Sequence, residues 1–182
     1  MKKIGQVTKT ALQAIPQKAQ LREQSKKLEI KKESVLKIFP DAESFSVNMN
    51  LDVCMEKYAQ YKTCKDALTS GKIKIRELAA IYGDRPVVGW LSTWLISIAS
   101  IMDFEISNQQ RKATALMLVE ELYMLNMAEI TLFFKRLQKG RYGIFYNKFN
   151  MQTILVAAKE FRNERGRELS KLSDSEIAEI IG

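Results

Sequence analysis

Apolar and polar residues nowhere alternate strictly enough to mark a half-buried strand, and the boundaries between apolar stretches carry helix caps and stops. The longest uncharged run, from Pro86 to Met102, reads PVVGWLSTWLISIASIM between Arg85 and Asp103. Its seventeen residues sit at the bottom of the range for a membrane span. Ser92, Thr93, Ser97 and Ser100 lie within it, so it reads as a buried central helix. Its expected core comprises Trp90, Leu91, Trp94, Leu95, Ile98 and Ile101, packed by Leu116, Met117, Val119, Leu122 and Met124 of the next helix. Trp90 and Trp94, one turn apart, belong to that core and not to a stacking platform.

The remaining elements follow from their punctuation. Residues 17–38 lack Gly and Pro and place Leu21, Leu28 and Val35 seven apart. Val7 and Ala14 continue that row upstream, but Gln24 and Lys31 are polar and Pro16 interrupts it, so only half a coiled-coil seam is present. Pro40 ends this helix at Phe39, and 40–49 reads as a loop. Asn50 caps a helix over 51–68 that stops at Ser70-Gly71. A short helix over 73–82 ends at Gly83; Asp84 caps the apolar helix, with Pro86 in its first turn. Capping boxes at Ser107/Gln110, Asn126/Glu129 and Ser173/Glu176 start three more helices, and Asn150 caps one over 151–168. Gly140 closes the helix that starts at Asn126, and the turn Arg141-Tyr142-Gly143-Ile144-Phe145-Tyr146 follows. The fold class is therefore all-α: a compact orthogonal bundle of about eight helices in all, with a basic helical arm over 1–39 and a core domain over 50–182. No internal repeat suggests a solenoid.

Charge sharpens this picture. Of the net +8, residues 1–37 hold ten Lys/Arg against three acids, and residues 135–171 hold ten against three, so each block carries +7. Residues 38–134 hold nine against twelve, and 172–182 add three acids, so each of these stretches carries −3. Two basic blocks flanking a mildly acidic centre are the footprint of a polyanion binder. The first +7 block lacks the apolar run of a secretory signal, so a cytoplasmic location is expected.

Enzymatic chemistry finds little support. The chain has no histidine, which removes the commonest general base and the commonest metal ligand together. Cys54 and Cys64, ten residues apart on one expected helix, face different ways and read as reduced, half-buried apolar residues. Asp103, Glu105, Glu120, Glu121 and Glu129 form no DxD or ExxE cluster, which leaves a magnesium-dependent nuclease as a minor reading. No cofactor motif and no metal-ligand set is expected; Gly140-Arg141-Tyr142-Gly143 lacks the spacing of a phosphate loop. Residues 75–91 superficially resemble a helix-turn-helix, but the second helix would offer Val, Trp, Leu and Ile to a groove that is read by polar side chains.

The segment 126–167 is different, because stackable rings and cations coincide there. Lys135, Arg136, Lys139, Arg141, Tyr142, Tyr146 and Lys148, extended by Arg162, Arg165 and Arg167, are the candidate nucleic-acid-binding residues. Phe145 and Phe149 are read as anchors to the core. From the first block, Lys26, Lys27, Lys31 and Lys32 join the set if the two blocks share a face.

Tyr82-Gly83, Trp90-Leu91 and the run Glu129-Ile-Thr-Leu-Phe-Phe-Lys-Arg-Leu-Gln-Lys-Gly-Arg-Tyr-Gly-Ile-Phe-Tyr, followed by Ile154-Leu155 and Phe161-Arg162, resemble an uncharacterised family of small helical proteins. That family is associated with phages and mobile elements of Bacteroidetes; the resemblance covers roughly residues 75–165. It implies context and no activity. The expectation is a non-enzymatic nucleic-acid-binding accessory protein, with DNA favoured over RNA. The alternative is an interaction module whose basic N-terminal helix docks on an acidic partner, such as a helicase or capsid subunit.

Overall fold

Ten helices make up the regular structure of the described residues. The computed structural model of the protein describes residues 22–23, 25–143 and 149–181. The first helix, α1, covers 25–38 and extends to Phe39 through a backbone bond from Phe39 N to Val35 O. The others are α2 (Ala42–Asn48), α3 (Leu51–Lys57), α4 (Cys64–Leu68), α5 (Ile75–Tyr82), α6 (Asp84–Ile101), α7 (Asn108–Glu121), α8 (Met127–Gln138), α9 (Met151–Leu169) and α10 (Asp174–Ile181). No strand occurs among the described residues; the one isolated bridge pairs Lys74 with Asn126 antiparallel. The all-α expectation holds, and the capping boxes at Ser107/Gln110, Asn126/Glu129 and Ser173/Glu176 form.

Three differences from the sequence reading change the picture. The expected loop 40–49 contains α2, whose N-cap Asp41 accepts from Ser44 N at 2.7 Å. Its C-cap carbonyl, Met49 O, accepts from both Trp90 Nε1 (2.7 Å) and Trp94 Nε1 (3.1 Å). Two fully buried indoles thus owe their partner to a helix too short for periodicity to show. Phe45 and Met49 are buried, so the core reaches upstream of residue 50.

The expected single helix over 51–68 is two helices. Thr63 and Asp66 form a capping box that restarts the chain at α4, with Asp66 N bonded to Thr63 Oγ1 at 3.1 Å. Cys54 and Cys64 therefore lie on different helices; both are free and buried, and burial pushes each thiol up to about 12. Gly83, not Asp84, is the N-cap of α6: its φ of 90° and ψ of 161° suit glycine alone, and Asp84 sits in the first turn.

The most buried helix is α8 and not the more apolar α6. Nine of the twelve residues of α8 are buried, against eight of eighteen in α6. Of the expected core, Trp90, Leu91, Trp94, Leu95, Ile98, Val119 and Leu122 are buried. Leu116 (52% exposed) and Met117 face outwards, because α7 turns Thr114, Ala115 and Leu118 inwards against α6 and α9; Ile101 (56%), at the end of α6, and Met124, beyond α7, are exposed as well. A chain of aromatic contacts, with centroids 4.9–5.8 Å apart, runs Phe39, Phe45, Trp90, Trp94, Phe134, Phe133, Phe161. It ties α1 to α9 through the centre. No helix among the described residues is long and apolar enough to cross a membrane.

Candidate nucleic-acid interface

Helix α8 presents a different electrostatic environment at each end. At its N-terminus the segments before α5 and α8 lie side by side: Ile75 N donates to Leu125 O, Arg76 N to Tyr123 O and Met127 N to Ile73 O. These bonds satisfy amides that a helix start would otherwise leave orphaned. Each helix then repeats one device. Glu77 Oε2 accepts from Lys74 N (2.9 Å) while its Oε1 holds Lys31 Nζ of α1 (2.7 Å). Glu129 Oε2 accepts from Asn126 N (2.9 Å) while its Oε1 holds Arg165 Nε of α9 (2.7 Å). Asn126 completes the joint: its Oδ1 accepts from Ala128 and Glu129 N, and its Nδ2 donates to Ala67 O at the end of α4.

The two basic blocks meet at this joint, since Lys31 and Arg165 line the same cavity. Carboxylates neutralise both residues there. Lys27 is similarly paired with Glu23, while Lys26 is exposed and Lys32 half-buried on α1. Arg162 pairs with Glu121 at the surface, and Arg167 is exposed on the last turns of α9. The expected positive track along α9 is thus divided, with Arg165 turned into the joint.

The other end of α8 collects the cations. Gly140, at φ 70°, closes the helix as a Schellman motif, with Gly140 N bonded to Leu137 O and Arg141 N to Arg136 O. The reversal folds Arg141 back beside the last turn. Lys135, Arg136, Lys139 and Arg141 then line a groove of about 470 Å³ with Tyr61, Lys62 and Leu132. Among the described residues no carboxylate lines it. Cations at a helix C-terminus are favoured by the dipole, which accounts for Lys135, Arg136 and Lys139 on α8 itself. Lys62 arrives from the α3–α4 connection and has no such account. Burial, and after it the neighbouring charges of Lys62 and Lys139, pull the Lys135 ammonium below its usual range.

Glu164 of α9 borders this cluster, accepting from Arg136 (2.9 Å) and Arg141 (3.2 Å). Arg136 is also packed over the Phe161 ring at 5.5 Å. The lysines are the cations left facing the groove. Tyr142 turns inwards: its ring lies 5.9 Å from Phe133 and its hydroxyl is buried, so the core already covers the face that a base would need. Burial raises its phenol pKa accordingly. Phe149 anchors to Phe104 at 5.7 Å, as expected. Phe145, Tyr146 and Lys148 lie outside the described residues. The sequence reading missed Lys62 and Tyr61; the capping pair Thr63/Asp66, which ends α3 early and exposes this connection, was the available signal.

Residues 104–180 match the model of a family of unknown function, DUF6633. No curated protein and no solved structure matches the chain. The match begins at Phe104, includes α7 to α9 and all but the last residue of α10, and so takes in the α8 end of the groove, Glu164 and Arg165. Tyr61, Lys62 and α1 lie outside it. The expected resemblance to an uncharacterised family thus holds at that level, with no activity attached. Among the described residues no group of three or more Cys, Asp or Glu is placed to hold a metal ion.

Proposed function

We propose that this protein is a non-enzymatic binder of single-stranded nucleic acid that seats a phosphate backbone in the groove at the C-terminal end of α8. The observation that carries the reading is the gathering of Lys62, Lys135 and Lys139, from two elements, around a cavity that no carboxylate lines among the described residues. Like charges drawn together cost free energy that a phosphate would return, and counterion release adds to it. Tyr61, half-buried on the wall of the groove, supplies an aromatic ring for base stacking, a mode tolerant of sequence. The free buried thiols of Cys54 and Cys64 fit the cytoplasmic setting of such a protein. A role in the DNA metabolism of a phage or mobile element is the context that the family resemblance suggests.

The test is fluorescence anisotropy with a short labelled DNA strand, an RNA strand and a duplex, at about 50 mM salt and upwards. Binding with a log K slope near −0.7 per phosphate contacted, so about −2 for the three lysines, is expected for the single strands. The Lys62→Gln/Lys135→Gln/Lys139→Gln variant should lose most of both affinity and slope. Absence of binding to every strand at low salt overturns the reading. A docking role for α1 is the second reading, favoured by the exposure of Ile30 and Ile38 beside Lys26 and Lys37. Removal of residues 1–38 with strand binding intact and partner capture lost would assign α1 to a protein contact.

A further inference from the structure

A second, smaller cavity, of about 220 Å³, lies at the opposite end of α8, where α1, α4, α8, α9, α10 and the segment leading into α5 converge. Lys74, at the start of α5, lines it and is only 6% exposed. Its Nζ is buried and has no hydrogen-bond partner. The two carboxylates whose charge reaches it are already engaged in hydrogen bonds elsewhere: Glu77 with Lys31 and the Lys74 amide, Glu129 with Arg165 and the Asn126 amide. Neither hydrogen-bonds the Lys74 ammonium. Burial, and then the Arg76 guanidinium, push that group down to about 8. An ammonium out of water and without an acceptor is among the costliest arrangements a fold can hold, and it persists where something completes it.

We infer that this cavity binds a small oxyanion, a phosphate or carboxylate group, on the ammonium of Lys74. Lys31, Lys72 and Arg165 line the same cavity, and the N-terminal dipoles of α5 and α8 point their positive ends at the joint. The amides of those helix starts are occupied by each other's flanking segments, so side chains hold the ligand. Size restricts it: the cavity is smaller than the roughly 300–1,000 Å³ of sites for drug-sized ligands. Glu176 and Glu179 of α10 stand on its wall and oppose an incoming negative charge, which favours a compact, singly charged group over a polyanion. The site is separate from the groove, being about 10 Å away along α8 as measured from Glu129 to Arg136.

Backbone amide NMR with inorganic phosphate and, separately, acetate tests this, with chloride at matched ionic strength as the control. Saturable shifts at Lys74, Ile75 and Asn126 with at least one anion, unchanged in the groove variant Lys62→Gln/Lys135→Gln/Lys139→Gln, are expected. Lys74→Met should abolish the shifts, at least tenfold in apparent affinity, while unfolding at the same temperature as the parent or higher, because the buried charge is gone. Glu176→Gln/Glu179→Gln should tighten binding several-fold. Phosphate alone binding identifies a phosphate-bearing ligand, and acetate alone a carboxylate. No saturable shift with either anion, or an unchanged response in Lys74→Met, overturns the inference. Because the groove is tested by oligonucleotides and this cavity by small anions, either can fail without the other.

Discussion

Glu77 and Glu129 perform the same two tasks, capping a helix start and holding a distant cation, yet their replacement by Gln should have unequal effects. The amide oxygen of Gln can still accept the capping N–H in both, so the difference isolates the cation left behind. Arg165 has a side chain 13% exposed against a carboxylate 1% exposed. Lys31 is 39% exposed and can swing into water. Removing one partner of a buried pair costs about 3–5 kcal/mol, since the other charge stays desolvated. Half-exposed pairs return about 0.2–1 kcal/mol. For a chain of this size each kcal/mol corresponds to roughly 2–4 °C, so Glu129→Gln should lower Tm by about 6–20 °C and Glu77→Gln by under about 4 °C. Thermal unfolding followed by the emission of the buried Trp90 and Trp94 measures both, and urea unfolding gives the differences in kcal/mol. Glu129→Gln/Arg165→Met should recover more than half of the loss, because no uncompensated charge remains. Equal shifts for the two single variants, or a Glu129→Gln shift within about 1 kcal/mol of the parent, would refute the reasoning.

Three further outcomes follow from particular contacts. Gly89 lies in α6 with nothing within 4 Å of an added Cβ, so Gly89→Ala should stabilise by about 0.5–1 kcal/mol in chemical denaturation; Gly83→Ala, at φ 90°, should cost about 1–3 kcal/mol. Cys54 and Cys64 should resist a disulfide reagent at pH 8 in the native state and react on unfolding. Their folded pKa values lie above the unfolded one, so the stability they support is complete below about 8.5 and falls as pH rises towards 12, which alkaline unfolding can follow. Lys62→Gln alone should raise stability slightly, by a few tenths of a kcal/mol, while weakening oligonucleotide binding; lower stability together with unchanged binding would remove Lys62 from the site.

The amino-acid sequence by itself determined most helix boundaries, the all-α class and the closing turn at Gly140. The reason is range: a cap such as Asn126/Glu129 or Ser107/Gln110 is completed within four residues, and a left-handed glycine needs no distant partner. Its reading of α2 and of the break at Thr63 fell short because seven- and five-residue helices give periodicity too little to repeat. Tertiary structure alone decided which face of α7 is inward, that α8 and not α6 forms the centre, and above all which positive charges still face a ligand. Ten cations per block are countable in the chain, but whether each is available depends on where helices cross. Glu164 reaches Arg136 and Arg141, Glu129 reaches Arg165, and Glu77 reaches Lys31 from elements 23 to 46 residues away. Charge pairing acts through space, so the sequence could place the cations in blocks, and only the packing could leave Lys62, Lys135 and Lys139 together and Lys74 without a partner.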